Sequence, residues 1–219
     1  MTFKAPDSLA EQIAHHLAER IIRGDLKPGE RIQEQKVTLA LNVSRGSVRE
    51  ALLILERRHL IAILPRRGAH VTELTAHKVQ SLCTLMGELY ILLGNAVAEG
   101  WRVQADMAPF LQIQQRLVGS FERQDIRAFV EESFNVMRAA YPFANNPYLQ
   151  ETIENLQPAM NRAYYLALDQ RKASMSEYLA LFEQLLAAVL ERNLAQIRTV
   201  LSAYCQRSSS LVIAALADA

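Results

Sequence analysis

The chain has 219 residues, with 24 Lys+Arg against 23 Asp+Glu, a formal charge of +1, and half of its residues hydrophobic. That length suits one large domain or two small ones, and the apolar content excludes a chain too polar to build a core. With only 8 Gly and 7 Pro, a many-turned all-β protein is excluded as well.

No uninterrupted apolar run, Leu211 to Ala217 included, approaches the roughly 18 residues of a membrane span. Lys4, Asp7 and Glu11 interrupt the N-terminal segment where a signal peptide would carry its apolar stretch. The expectation is a soluble cytoplasmic protein with no membrane partner. Cys83 and Cys205 form neither a metal-type spacing nor a disulfide framework and are expected as buried small side chains.

The charge is unevenly distributed. Residues 1–75 hold 12 basic and 9 acidic side chains, and 76–219 hold 12 and 14. The basic excess is concentrated in Arg45, Arg49, Arg57, Arg58, Arg66 and Arg67, opposed in that stretch only by Glu50 and Glu56, and such a surface suits phosphate.

In chain order, the first helix starts at Ser8, which with Glu11 makes a capping box, and runs through Ile13, Leu17 and Ile21 to Gly24. Residues 25–31, with Pro28 and Gly29, read as a loop. A short second helix carries Val37 and Leu41, and Asn42, tolerant of the left-handed conformation, makes the tight turn after it. Ser44 is the N-cap of a third helix, Arg45 to about Arg58, whose inner face holds Val48, Ala51, Leu52 and Leu55. Arg45 and Arg49, four apart, share another face near its start. A short helix, a tight turn and a second helix with arginines in its first turns is a helix-turn-helix, in which the second helix enters the major groove. Leu60 to Leu64 and Ala69 to Val71, joined by Pro65-Arg66-Arg67-Gly68, read as a β-hairpin wing with a basic tip. From Thr75, read as an N-cap, everything reads as helix. Apolar stripes recur to Gly100 and at 110–117, 126–141, 149–168, 178–190 and 197–215. Six helices there make a bundle. The fold expected is mainly α: a winged helix-turn-helix with a small β-hairpin over 1–74, then an all-α six-helix bundle over 75–219.

At "LNVSRGSVREALLILERRHLIAILPRRGAHV", residues 41–71, the chain resembles the GntR family of bacterial transcription regulators. Val43, Ser44, Arg45, Val48, Arg49, Glu50, Ala51 and Leu52 match, as do Arg67, Gly68 and Val71 at the wing and Gly24, Pro28 and Gly29 upstream. The helical second half resembles the FadR subfamily, with an FCD-type domain in its shorter six-helix form. The resemblance implies DNA contacts from Ser44, Arg45, Gly46, Ser47 and Arg49 on the recognition helix and from Gly68 on the wing, and Arg67 beside it is a candidate phosphate contact by its charge. The chemistry agrees: Arg pairs bidentately with guanine or phosphate, and Ser hydroxyls and a helix N-terminus bind phosphate. Glu50 is expected to orient an arginine rather than read a base.

Many members of that subfamily carry an Asp-x-x-Phe-His segment and two later histidines that hold a metal. The corresponding positions here are Glu131 to Asn135, then Tyr178 and Tyr204, with no imidazole among them, so no metal and no other cofactor is expected. An Arg-x-x-Leu-Glu segment of the first bundle helix aligns with Tyr90 to Gly94. The candidate effector-binding residues are therefore Met86, Tyr90, Glu131, Asn135, Arg138, Tyr178 and Tyr204. Either the tyrosines wall an apolar small-molecule pocket, or they fill the core with their hydroxyls bonded internally. Arg138 can pair with Glu131, anchor an anionic effector, or lie on the surface.

An enzyme is not expected. His15, His16, His59, His70 and His77 show no local pairing with a Ser or Cys nucleophile, and no phosphate loop, H-E-x-x-H or C-x-x-C occurs. The resulting reading is a metabolite-responsive repressor, a homodimer on double-stranded operator DNA with a small-molecule effector. The alternative is a DNA-binding dimer whose bundle binds no ligand and serves only oligomerisation.

Overall fold

The computed structural model describes residues 8–218; residues 1–7 and 219, which begin and end the two expected domains, lie outside them. The described chain folds as two compact units. The first holds the residues up to Leu74 together with Glu154–Tyr165, and the second Thr75–Ile153 with the residues from Leu166 onward. The sequence division puts 154–165 in the second domain.

In the first unit, α1 (Leu9–Ile22) buries Ala10, Ile13, Leu17 and Ile21 on one face. Ser8 caps it, its Oγ accepting from Glu11 N at 3.2 Å. The Glu11 carboxylate, expected to complete a capping box, instead receives Arg58 Nη2 at 2.8 Å and ties the end of the third helix to α1. After it come α2 (Glu34–Leu41) and α3 (Arg45–Arg57), joined through Asn42 in the left-handed region, φ 52° and ψ 49°. The hairpin strands are β2 (Ile61–Leu64) and β3 (Gly68–Val71), antiparallel with Leu64 opposite Gly68. A third strand, β1 (Arg31–Ile32), pairs with the free side of β3 and begins at the last residue of the stretch expected as loop. Two residues are too few for an alternating pattern to announce a strand. Val48, Leu52 and Leu55 of α3 meet Ile13, Leu17, Ile61 and Val71 in one core. In the 154–165 segment, Arg162 is buried and donates to Thr72 Oγ1 at 2.9 Å; burial lowers its pKa.

The second unit contains α4 (Ala76–Gly100), a 3-10 turn (Gln104–Met107), α5 (Ala108–Glu122), α6 (Ile126–Ala144), the ends of α7 (Pro147–Leu166), α8 (Leu168–Ala173), α9 (Met175–Leu190) and α10 (Leu194–Ala217). Where one stripe was expected over 149–168, the chain breaks at Ala167 (φ −106°, ψ 26°) and starts the short α8, so seven α-helices rather than six follow residue 75 among the described residues. No Gly or Pro marks that break. α4 and α10 pack closely through Gly87 and Gly94, seven residues apart; a Cβ on Gly94 would lie 2.8 Å from Ile197 Cγ2. α4 is long and apolar enough to cross a membrane by length and composition, yet Val79, Met86, Ile91, Leu93 and Val97 are buried in the bundle, as a core helix of a globular domain requires.

Candidate nucleic-acid interface and bundle cavity

Burial of Val48, Ala51, Leu52 and Leu55 fixes how α3 is rotated, and so turns Arg45 and Arg49 outward. Ser44 caps the helix by accepting from Ser47 N at 3.1 Å, and the two hydroxyls lie 2.9 Å apart. Ser44, Arg45, Gly46 and Ser47 thus gather at the positive end of the helix dipole, where backbone N–H groups and hydroxyls can receive a phosphate oxygen. Arg49 donates through Nε to Glu34 Oε2 at 2.9 Å. The carboxylate that orients an arginine is therefore Glu34 of α2, and Glu50, expected in that role, lies exposed on α3.

At the wing tip, Pro65, Arg66 and Arg67 are exposed. Arg66 and Gly68 hold φ of 60° and 84°, which turns the chain sharply enough for Arg67 N to donate to Leu64 O at 3.1 Å. The Arg31 guanidinium sits 3.6 Å from where a Gly68 Cβ would be, so β1 adds a third arginine to the tip. His70 braces the turn from beneath, with Nδ1 3.1 Å from Gly29 O and Nε2 3.3 Å from Arg67 O. Arg31 is missed by sequence reasoning because its strand is.

The bundle holds a partly open cavity of about 120 Å³. Its wall is almost wholly apolar and includes Phe110, Phe129, Phe182, Leu201 and the tyrosines Tyr90, Tyr178 and Tyr204. The tyrosine rings form a chain, with centroids 6.5 Å apart between Tyr90 and Tyr204 and 5.4 Å, edge to face, between Tyr204 and Tyr178. Of the other candidate effector residues, Met86 is fully buried but outside the cavity wall. Asn135 donates to Glu132 Oε2 at 3.1 Å and accepts from Arg138 Nη1 at 2.6 Å, in a polar cluster on α6 that Arg116 joins through Glu132. Glu131 and Arg138 are exposed.

Behind Tyr178 is a buried polar cluster. Arg171 of α8, 1% exposed, donates through Nη1 to Tyr178 Oη at 3.2 Å and to Ser208 Oγ at 3.3 Å. Its guanidinium lies 4.4 Å from the Tyr178 ring centroid, and Tyr178 Oη is 3.1 Å from Ser208 Oγ. Burial pushes the Tyr178 hydroxyl up, opposed by the Arg171 charge and the Ser208 hydrogen bond; burial pushes Tyr90 up strongly. Both stay neutral at physiological pH. A neutral phenol beside a buried guanidinium is no ligand for a divalent cation, so the residues present do not fit the metal held by other subfamily members. Among the described residues no three His, Cys, Asp or Glu side chains converge. Arg171 falls between the stripes expected at 149–168 and 178–190, and neither it nor Ser208 was among the residues the sequence singled out. Cys83 and Cys205 are buried, and burial raises their thiols to about 11 and about 12, so neither supplies a thiolate.

Residues 9–71 match the model of the gntR family of bacterial regulatory proteins, and residues 95–207 match the FCD domain. The HTH-type transcriptional regulator McbR of Escherichia coli K12 is 25% identical over 206 residues, 94% of this chain and 93% of McbR. The HTH-type transcriptional repressor RspR of the same strain is 28% identical over 162 residues, 73% of this chain and 69% of RspR. Among solved structures, E. coli McbR/YncC aligns with a TM-score of 0.77 at 24% identity, covering 94% of this chain and 98% of that one. A GntR regulator from Rhodococcus sp. RHA1 aligns at 0.72 and 21%, covering 95% and 99%. At these identities the structures show a shared fold.

Proposed function

Because the chain belongs to the gntR family of bacterial regulatory proteins and carries an FCD domain, we propose that this transcription regulator is a metabolite-responsive repressor. It binds operator DNA as a homodimer in the cytoplasm and releases it when a small apolar molecule occupies the bundle. Its families and relatives are transcription regulators, and it is not an enzyme. Arg45 and Arg49 read base edges in the major groove. Ser44, Gly46 and Ser47 hold phosphates at the α3 N-terminus, and Arg67 with Gly68 brings the wing to the adjoining groove. One α3 reads only a few base pairs, so two-fold symmetry supplies the second half-site.

The bundle cavity carries the ligand half of this reading. Its volume is close to that of the roughly 150 Å³ apolar cavity that binds benzene, and three tyrosines contribute to its wall. Burying an unpaired carboxylate against that wall is costly, so apolar contact supplies most of the affinity. A ligand larger than the cavity must widen it, and it acts by preferring one of two bundle states. The test is a thermal-shift screen of metabolites followed by release from a duplex selected from a random library. Hits confined to small carboxylic acids, with binding unchanged in Tyr178→Phe and Tyr204→Phe, would overturn the ligand assignment.

A further inference from the structure

The Glu34 and Arg49 side chains are 38% and 68% exposed, and an ion pair that open to solvent contributes little to stability. Its geometry bears on recognition instead. The carboxylate takes Arg49 by Nε, which leaves the edge formed by the two terminal amino groups to meet guanine O6 and N7. Glu34 is the first residue of α2, so the helix dipole stabilises its charge where it stands. Val37 of α2 and Val48 of α3 share the same core, which holds the two helices together.

We propose that Glu34 is a specificity-determining residue that acts on DNA through Arg49. This rests on the reading of Arg49 as a base-contacting side chain. On a cognate site the tether presents the guanidinium in one orientation, so less side-chain freedom is lost on binding. On other sequences the same carboxylate keeps Arg49 from swinging to a phosphate and adds a negative charge beside the backbone. Glu34 thereby strengthens cognate binding and weakens indiscriminate binding together.

The experiment uses the full-length protein and a consensus duplex selected from a random library, with a scrambled duplex of equal composition as control. Affinities are read by fluorescence anisotropy at two salt concentrations, and circular dichroism checks folding. Glu34→Gln is expected to lose about tenfold on the consensus duplex, to hold or gain affinity on the scrambled one, and to relax preference at the base pair that Arg49→Ala relaxes. Glu34→Asp keeps the charge at the helix start but shortens the reach. It should keep scrambled binding weak while losing part of the consensus affinity. In an Arg49→Ala background, Glu34→Gln should change the consensus affinity no further. Tighter consensus binding by Glu34→Gln, equal changes on both duplexes, or an effect that persists without Arg49 would overturn the proposal. If Arg49→Ala alone leaves consensus binding unchanged, the reading of α3 itself falls and takes the proposal with it. That result is distinct from a damaging Arg49→Ala with a silent Glu34→Gln, which refutes the tether alone.

Discussion

Filling the bundle cavity separates its contribution to stability from its contribution to signalling. Ala140 of α6 is 4% exposed and lies in the cavity wall, so Ala140→Leu adds three carbons to a space of about 120 Å³. At about 0.8 kcal/mol per buried CH₂ the gain is at most ~2.4 kcal/mol. Fitting a larger side chain among existing ones costs about 1 kcal/mol or more. The net expectation is a bundle about 1 kcal/mol more stable, or roughly 2–4 °C in Tm for a chain of this size. The single tryptophan makes this measurable: Trp101 follows α4, half-buried, with Nε1 donating to Val189 O at 3.3 Å, so its fluorescence in urea follows the second unit. Toluene or indole, used as probes, should raise the Tm of the unmodified protein and leave that of Ala140→Leu unmoved, at one fixed protein concentration. DNA affinity without probe should be the same for both. A destabilisation of about 1–3 kcal/mol, the usual result of overpacking, would show that the space is not there. Undiminished probe binding by the variant would show that it is not the ligand site.

Arg45→Ala should weaken binding to a selected consensus duplex by about 1–3 kcal/mol with an unchanged helical spectrum, since Arg45 is exposed; unchanged affinity in a gel-shift titration would refute the base contact. Arg67→Ala should weaken binding to all duplexes alike and lower the salt dependence by about one counterion, whereas a loss confined to one sequence would contradict a phosphate contact. Elemental analysis of the purified protein should find no stoichiometric Zn, Ni, Mn or Fe, and chelators should leave DNA affinity unchanged; one metal per chain would mean that Asn135, Tyr178 and Tyr204 are not the family's ligand positions. Alkaline pH should destabilise the bundle. Cys83 and Cys205 rise from 9.0 to about 11 and about 12, so above pH 9 the unfolded chain loses protons that the folded one keeps, and stability falls as pH rises. A Cys83→Ala/Cys205→Ala double variant should show a shallower decline in urea midpoint between pH 8.5 and 10.5, and an identical decline would refute the burial argument.

The helix-turn-helix half was legible in the sequence because its determinants are local. Ser44 capping α3, Asn42 in the left-handed turn, the four-residue spacing of Arg45 and Arg49, and the Pro-Arg-Arg-Gly wing tip are preferences of a few neighbouring residues. Backbone sterics and hydrogen bonding impose them over short stretches of chain. The bundle stripes were legible for the same reason, since burial on one helix face leaves a 3.6-residue period. What only the tertiary structure decided lies between elements. Glu34 meets Arg49 across fifteen residues, Arg31 joins the wing by pairing with β3, and Arg171 reaches Tyr178 and Ser208 from a segment between two apolar stripes. The cavity exists because large side chains from several helices leave a gap that none of them encodes alone. Periodicity says which face of a helix is buried. It carries no information about which residues of other helices that face will meet, because those meetings are set by the packing of the whole chain.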